Sequence, residues 1–156
     1  MPVSAERFAT GLVLAAGGSR RLGEPKQLLP YGSGTLLDHT LETARASGFD
    51  QLIVALGGSS DVVRRHVDLS CAEVVENRDY GDGCSSSIAA GLSAVDARSE
   101  VLVLLLGDQP GVTAATVRAL VAGRGEGTAI AVCQYDDGRG HPLAFGRALF
   151  GELREL

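Results

Sequence analysis

The chain has 156 residues and a formal net charge of −5, and hydrophobic residues make up 45% of it. This length suits one domain, which at such a size buries about 68–70% of the surface that its unfolded chain exposes. With four Phe, three Tyr and no Trp, aliphatic side chains must build the core. The acidic balance argues against a protein that wraps nucleic acid, because such binding needs a basic face over many phosphates.

The cysteines and the apolar runs indicate the cellular compartment of the protein. Cys71, Cys84 and Cys133 are scattered and form no CxxC pair, which is typical of a reducing environment. The amino-terminal residues show no basic region followed by a long apolar stretch, and no apolar run approaches ~18 residues. We therefore expect a cytoplasmic protein that has no membrane partner.

Short β-branched runs alternate with longer helical patterns, which indicates βαβ units and a mainly parallel sheet. The predicted strands are Gly11–Ala15, Leu52–Leu56, Ala72–Glu76, Val101–Leu106 and Thr128–Gln134. The predicted helices begin near Leu36, Ser60, Ser85 and Thr113. This order predicts a three-layer α/β domain with right-handed crossovers. In such sheets ligands bind beyond the carboxyl ends of the strands, so the loops there are the candidate sites.

The loop after the first predicted strand is rich in glycine and basic residues. Residues 14–30 read LAAGGSRRLGEPKQLLP. Gly17–Gly18 allows backbone N–H groups to approach an anion, and Arg20, Arg21 and Lys26 bring positive charge to it. The segment matches neither the GxxxxGK[ST] nor the GxGxxG pattern. We interpret it as a phosphate-binding loop of another type.

This loop resembles the LAAGxSxRxGxxKxLLP signature of NTP transferases related to molybdenum cofactor cytidylyl- and guanylyltransferases. Its fixed positions are met by Leu14, Ala15, Ala16, Gly17, Ser19, Arg21, Gly23, Lys26, Leu28, Leu29 and Pro30. The resemblance implies a three-layer, Rossmann-like fold of the nucleotide-diphospho-sugar transferase type. It also implies that residues 15–17 contact the base and ribose, and that Arg21 and Lys26 hold the phosphates. Cytidylyl members carry the LAAG spelling and guanylyl members usually LAGG, so CTP is the expected nucleotide.

A carboxylate follows the fourth predicted strand, in the segment Gly107-Asp108-Gln109-Pro110. Transfer at the α-phosphorus of an NTP spreads negative charge over phosphate oxygens, which Mg²⁺ held by carboxylates neutralises. The segment resembles the GDxP motif of the same transferases, whose Asp is a metal ligand. The resemblance therefore implies that Asp108 binds Mg²⁺ and is catalytic together with Arg21 and Lys26.

Other loops match the family less specifically. Gly57 follows the second predicted strand, where either a base or a tight turn needs a small residue. The stretch from Asn77 to Ser87 resembles the family's run of Asn, glycines and serines, so Asn77 is expected to read the base edge. Ser86 lies at a helix start that either binds an anion or is simply capped. The predicted nucleotide-binding residues are Leu14, Ala15, Ala16, Gly17, Gly18, Ser19, Arg21, Lys26, Gly57, Asn77, Ser86 and Asp108.

The segment Gly140-His141-Pro142 resembles the family's GxP segment, which approaches the acceptor. His141 is interpreted as an acceptor-binding residue, with a plain turn residue as the alternative. Acid–base catalysis by His141 is disfavoured, because a phosphate nucleophile is already ionised near neutral pH. The predicted acceptor-binding residues are Gln109, Pro110, Gly140, His141 and Pro142.

The resemblance runs from about Gly11 to the last residue. In the family a GDxG segment, whose Asp is a second metal ligand, follows soon after the position of Leu156. We therefore expect residues 1–156 to form a single NTP transferase domain that lacks the family's C-terminal part. Metal binding by Asp108 alone is expected to be weak, because Mg²⁺ otherwise keeps mostly water around it.

The function that the resemblance implies is transfer of CMP from CTP to molybdopterin, with release of pyrophosphate. The product would serve a molybdoenzyme of the xanthine or carbon monoxide dehydrogenase type. One alternative is a guanylyl- or other small-molecule nucleotidyltransferase of the same fold. Another is a non-catalytic nucleotide- or cofactor-binding partner of a molybdoenzyme.

Overall fold

The computed structural model describes residues 7–16, 25–78, 84–123 and 129–156. The strands in these ranges are β1 (Ala9–Ala15), β2 (Pro30–Tyr31), β3 (Gly34–Thr35), β4 (Gln51–Leu56), β5 (Glu73–Glu76), β6 (Val101–Leu106), β7 (Ile130–Tyr135) and β8 (Gly138–Gly146). The helices are α1 (Leu36–Ser47), α2 (Ser60–His66), α3 (Cys84–Leu92), α4 (Ala114–Gly123) and α5 (Phe150–Arg154). Within this described part, no helix has the length and apolar character needed to cross a membrane.

Six strands form the central sheet in the order β5-β4-β1-β6-β8-β7. The first four are parallel neighbours, whereas β8 pairs antiparallel with both β6 and β7. Strands β2 and β3 form a separate antiparallel hairpin. The α/β fold with a mainly parallel sheet is therefore confirmed. The strand β8 and the helix α5 were not predicted from the sequence.

Two apolar clusters lie on opposite faces of the sheet. On one face α1, α2 and α4 pack against β1, β4 and β6, with Val103 and Leu105 among the buried residues. On the other face α3 and α5 pack against the same strands, with Leu102 and Leu104 buried. Alternate residues of β6 thus enter different clusters, as the period of two in a strand requires. This arrangement gives the three predicted layers.

Helix α1 begins and ends at well-defined caps. The Asp38 amide donates to Thr35 Oγ1 at 3.1 Å, and the Thr35 amide donates to Asp38 Oδ2 at 2.8 Å. This reciprocal pair satisfies N–H groups that have no partner inside the helix. At the other end, Gly48 has a φ of 76° and terminates the helix in the left-handed region. The β2–β3 hairpin therefore leads directly into α1.

Candidate active site

The ends of β1 and β6 lie side by side. Leu14 pairs with Leu106 in the parallel register, and the Gly107 amide donates to the Leu14 carbonyl at 3.0 Å. A Cβ on Gly107 would lie 3.2 Å from Ala15 Cβ and 3.3 Å from both the Leu14 carbonyl oxygen and Leu37 Cδ1. Only glycine fits this approach without displacing its neighbours. The segment that carries Asp108 is thereby held against the end of β1.

Lys26 and Asp108 meet at this edge of the sheet. Lys26 Nζ lies 3.1 Å from Asp108 Oδ2, and the two side chains are 55% and 32% exposed. Lys26 is the first residue of a 3₁₀ turn, Lys26–Leu28. The buried Gln27 anchors this turn to β1, because its Nε2 donates to the Ala15 carbonyl at 2.9 Å. Lys26 and Asp108, two of the predicted catalytic residues, are therefore adjacent in space. They come from loops about 80 residues apart in the chain. The anchoring role of Gln27, at a variable position of the family signature, was not predicted.

Asn77 follows the carboxyl end of β5, the strand at the edge of the sheet, which pairs with β4 and is separated by it from β1. The main-chain N–H of Asn77 donates to the Leu56 carbonyl at 2.7 Å. Its side-chain Nδ2 donates to the hydroxyls of Ser86 and Ser87 at 2.9 Å each. Asn77 and Ser87 are 5% and 4% exposed. The side chain of Asn77 is thus fixed by the first turn of α3. Ser87, which was not singled out in the sequence, contributes as much to this as Ser86.

The remaining predicted nucleotide-binding residues are distributed as follows. Leu14 and Ala15 end β1, and Ala16 follows it as a buried residue. The Gly57 carbonyl accepts from the Ser60 amide at 3.0 Å, which is the hydrogen bond of a tight turn before α2. The contact of Gly57 with a nucleotide stays a prediction. The predicted residues that lie outside the described ranges are Gly17, Gly18, Ser19 and Arg21.

A cleft of about 460 Å³ opens beside Asp108, between the β6–α4 loop and the β7–β8 hairpin. Its lining residues are Gln109, Gly111, Val112, Tyr135, Asp137, Arg139, Gly140 and His141. Three of the five predicted acceptor-binding residues, Gln109, Gly140 and His141, line it. Pro142 is buried, and neither it nor Pro110 is among the lining residues. Tyr135, Asp137 and Arg139 were not predicted, because only the pairing of β7 with β8 brings them here.

The imidazole of His141 is held neutral in this cleft. Burial lowers the pKa of His141 below its ordinary value of 6.5, and the negative charge of Asp108 opposes this shift. Its main-chain carbonyl accepts a hydrogen bond from Tyr135 Oη at 2.6 Å. Burial also raises the pKa of Tyr135, with contributions from Cys133 and Asp137. At neutral pH both side chains therefore face the cleft as uncharged groups.

The described residues offer no ready-made metal cage. Within them, no group of three or more His, Cys, Asp or Glu side chains could hold a metal ion. Asp108 is a single carboxylate beside a cation. Mg²⁺ is commonly held by one or two carboxylates together with substrate phosphates, rather than by an all-protein site. The donor set therefore fits a divalent cation that is shared with a bound triphosphate.

The sheet brings Lys26 and Asp108 together at the adjoining ends of β1 and β6, and the buried Asn77 to the same edge at the end of β5. This edge of an open α/β sheet is where nucleotides and other ligands bind. The chain belongs to the family described as the MobA-like NTP transferase domain, whose model matches residues 11–156. It is accordingly a nucleotidyltransferase by family and fold, which confirms the resemblance drawn from the sequence.

Three relatives are informative. The chain is 37% identical over 147 residues to nicotine blue oxidoreductase of Paenarthrobacter nicotinovorans, covering 90% of this chain and 72% of that protein. It is 28% identical over 132 residues to the molybdenum cofactor cytidylyltransferase of Escherichia coli, covering 85% and 67%. The crystal structure of Rv0371c from Mycobacterium tuberculosis aligns with a TM-score of 0.88 at 48% identity, covering 96% and 77%. A further structure of Rv0371c contains manganese and aligns with a TM-score of 0.84 at 47% identity, covering 96% and 76%.

Proposed function

We propose that the protein transfers CMP from CTP to molybdopterin and releases pyrophosphate. The observation that carries the proposal is the Lys26–Asp108 pair at the adjoining ends of β1 and β6, where a transferase needs both a phosphate-binding cation and a carboxylate. The similarity to the molybdenum cofactor cytidylyltransferase and the LAAG spelling support CTP and molybdopterin as substrates. The proposed setting is the cytoplasm, with a molybdoenzyme of the xanthine or carbon monoxide dehydrogenase type as the recipient.

The proposed reaction is an in-line displacement. The terminal phosphate of molybdopterin forms a bond to the α-phosphorus of CTP while the bond between that phosphorus and the bridging oxygen of pyrophosphate breaks. Lys26 stabilises the negative charge that develops on the phosphates, and Arg21, outside the described residues, is proposed to act with it. The phosphate nucleophile is already ionised, so the protein contributes mainly positioning and electrostatic stabilisation.

Asp108 is the residue that would hold a divalent cation, together with oxygens of the triphosphate. A bound cation would supply charge neutralisation at the phosphate being transferred. The manganese-containing structure of Rv0371c supports a divalent metal for this family, and we propose Mg²⁺ for this chain. Lys26 Nζ, 3.1 Å from Asp108 Oδ2, stabilises that carboxylate, and we propose that it turns to the phosphates when the nucleotide binds.

Calorimetric titration with CTP, GTP, ATP and UTP in the presence of Mg²⁺ tests the nucleotide. We expect CTP to bind most tightly, and Asp108→Ala to weaken that binding. Pyrophosphate release in the presence of CTP and molybdopterin then tests the reaction. Preference for GTP would redirect the assignment to a guanylyltransferase. Nucleotide binding without pyrophosphate release would favour a non-catalytic partner of a molybdoenzyme.

The identity to nicotine blue oxidoreductase supports a second candidate, an oxidoreductase that acts on nicotine blue. That identity is 37%, against 28% for the cytidylyltransferase. The test is consumption of NADH or NADPH, supplied as the reductant, in the presence of nicotine blue, followed by absorbance. Reduction of nicotine blue without CTP-dependent pyrophosphate release would replace the transferase proposal by this one.

A further inference from the structure

Two segments of the candidate active site are attached to neighbouring carbonyls at the end of β1. The main-chain N–H of Gly107 donates to the Leu14 carbonyl at 3.0 Å and holds the start of the β6–α4 loop. The side chain of Gln27 donates from Nε2 to the Ala15 carbonyl at 2.9 Å and holds the turn Lys26–Leu28. The first hydrogen bond uses only main-chain groups, whereas the second is lost when one side chain is changed. The placement of the turn therefore depends on the identity of a single residue.

The Lys26–Asp108 ion pair is too exposed to set this geometry by itself. Its side chains are 55% and 32% exposed. Water and salt screen such a pair, and a long lysine side chain loses rotamer freedom when it is held in one geometry. Gln27 is 5% exposed and Ala15 is 4% exposed, so the hydrogen bond between them is shielded from water. Breaking it would leave a buried carbonyl without its donor. The order at this site is therefore imposed by Gln27 on Lys26, rather than the reverse.

The turn is also attached on the side that faces α1. The Leu29 main-chain N–H donates to the Lys26 carbonyl at 3.1 Å, and the Leu29 carbonyl accepts from the Leu36 main-chain N–H at 3.0 Å. Leu28 packs against the apolar cluster that includes residues of α1 and β1. None of these contacts uses the side chain of Gln27. A substitution of Gln27 should therefore displace Lys26 without unfolding the turn.

We propose that Gln27 is a positioning residue for phosphate binding, and that its hydrogen bond to the Ala15 carbonyl fixes the turn so that the Lys26 ammonium is available to a triphosphate beside Asp108. The inference rests on the proposed transfer function, which makes Lys26 a phosphate-binding residue. Gln27 acts through Lys26 and is assigned no contact with the nucleotide. Lys26 is the only lysine in the sequence. Replacing it therefore removes every lysine ammonium, and the effect of Gln27 should disappear with it.

A double-mutant cycle on the binding of inorganic triphosphate tests the proposal without turnover. Calorimetric titration in the presence of Mg²⁺ compares wild type, Gln27→Met, Lys26→Gln and the double variant. Methionine keeps a side chain of similar length and removes the donor. We expect Gln27→Met to raise the Kd roughly fivefold or more in the wild-type background, and to leave it unchanged in the Lys26→Gln background. A merely structural role would give the same change in both backgrounds.

Gln51→Met is the matched control. Gln51 Nε2 donates to the Ala94 carbonyl at 2.8 Å, and Gln51 is the first residue of β4, at the opposite end of the parallel strands. The control should leave the Kd for triphosphate unchanged even where it lowers the Tm. Thermal melts establish that each variant folds. If Gln27→Met does not fold, Gln27→Asn serves in its place, because its side chain is one methylene too short to make the same hydrogen bond.

Three results overturn the proposal. These are no binding of triphosphate to the wild-type protein, equal Kd values for wild type and the Gln27 variant, or an equal rise in Kd in both backgrounds. Failure of the transfer reaction is distinguishable. Coupling between Gln27 and Lys26 without CTP-dependent pyrophosphate release would remove the reaction and leave the role of Gln27 standing. Pyrophosphate release without that coupling would remove the role of Gln27 alone.

Discussion

Lys26 and Asp108 form an exposed ion pair, and such pairs contribute only about 0–1 kcal/mol to stability. Their side chains are 55% and 32% exposed. If they act on phosphates, Lys26→Gln and Asp108→Asn should each lower kcat for CMP transfer roughly 10²–10³-fold, with little change in Tm. Steady-state kinetics and thermal melts check this. Arg98→Gln, which breaks the separate ion pair with Asp96 at 2.9 Å, is the control and should leave kcat unchanged. A similar loss of kcat in Arg98→Gln would show that the effect is not specific to the Lys26–Asp108 pair.

His141 makes stability depend on pH in a direction fixed by its lowered pKa. Near pH 6 the unfolded chain binds more protons at this position than the folded protein, so the free energy of unfolding rises with pH there. Stability should therefore fall as pH drops below the ordinary value of 6.5. Urea unfolding of wild type and His141→Gln at several pH values measures this effect. The variant should show a weaker dependence over that range, and an unchanged dependence would contradict the half-buried, neutral state of His141.

At the level of single residues, the sequence predicted which side chains should carry chemistry, and these roles stay predictions, but it did not predict how the side chains are held. Lys26, Asp108 and Asn77 were identified through motif positions that the family shares. Gln27 and Ser87 were not, because their importance depends on a hydrogen bond to a residue of another element. The same reason applies to the cleft, where Tyr135 and Arg139 meet Gln109 only once β8 has paired.

At the scale of elements, the start of the β6–α4 loop is closely fitted to its neighbours. Because a Cβ on Gly107 would crowd Ala15 and Leu37 at 3.2 and 3.3 Å, Gly107→Ala should shift the segment that carries Asp108. We expect a loss of transfer activity larger than the loss of stability, since the loop can move more easily than the sheet. Gly151→Ala, where a Cβ would meet nothing within 4 Å, is the matched control. Equal activity in the two variants would refute this role of Gly107.

Elements with strong local patterns were predicted well, and β8 shows why others were not. The four parallel strands are short apolar runs that lie between helical patterns. Residues 138–146 read GRGHPLAFG, and their glycines and proline favour a loop when only local sequence is considered. Pairing with β6 on one side and β7 on the other overrides that preference. Tertiary contacts thus decide both the strand and the position of His141.

The two apolar clusters should unfold together, because they share the central strands. Leu104 and Leu105 are adjacent in β6, each 2% exposed, and they enter opposite clusters. Leu104→Ala and Leu105→Ala should each reduce the free energy of unfolding by about 2–5 kcal/mol. Since both substitutions act on one strand, each should shift a single transition rather than split it. Urea unfolding followed by far-ultraviolet circular dichroism and by tyrosine fluorescence measures this. Separate midpoints for the two probes would contradict a single cooperative transition and show that parts of the domain unfold independently.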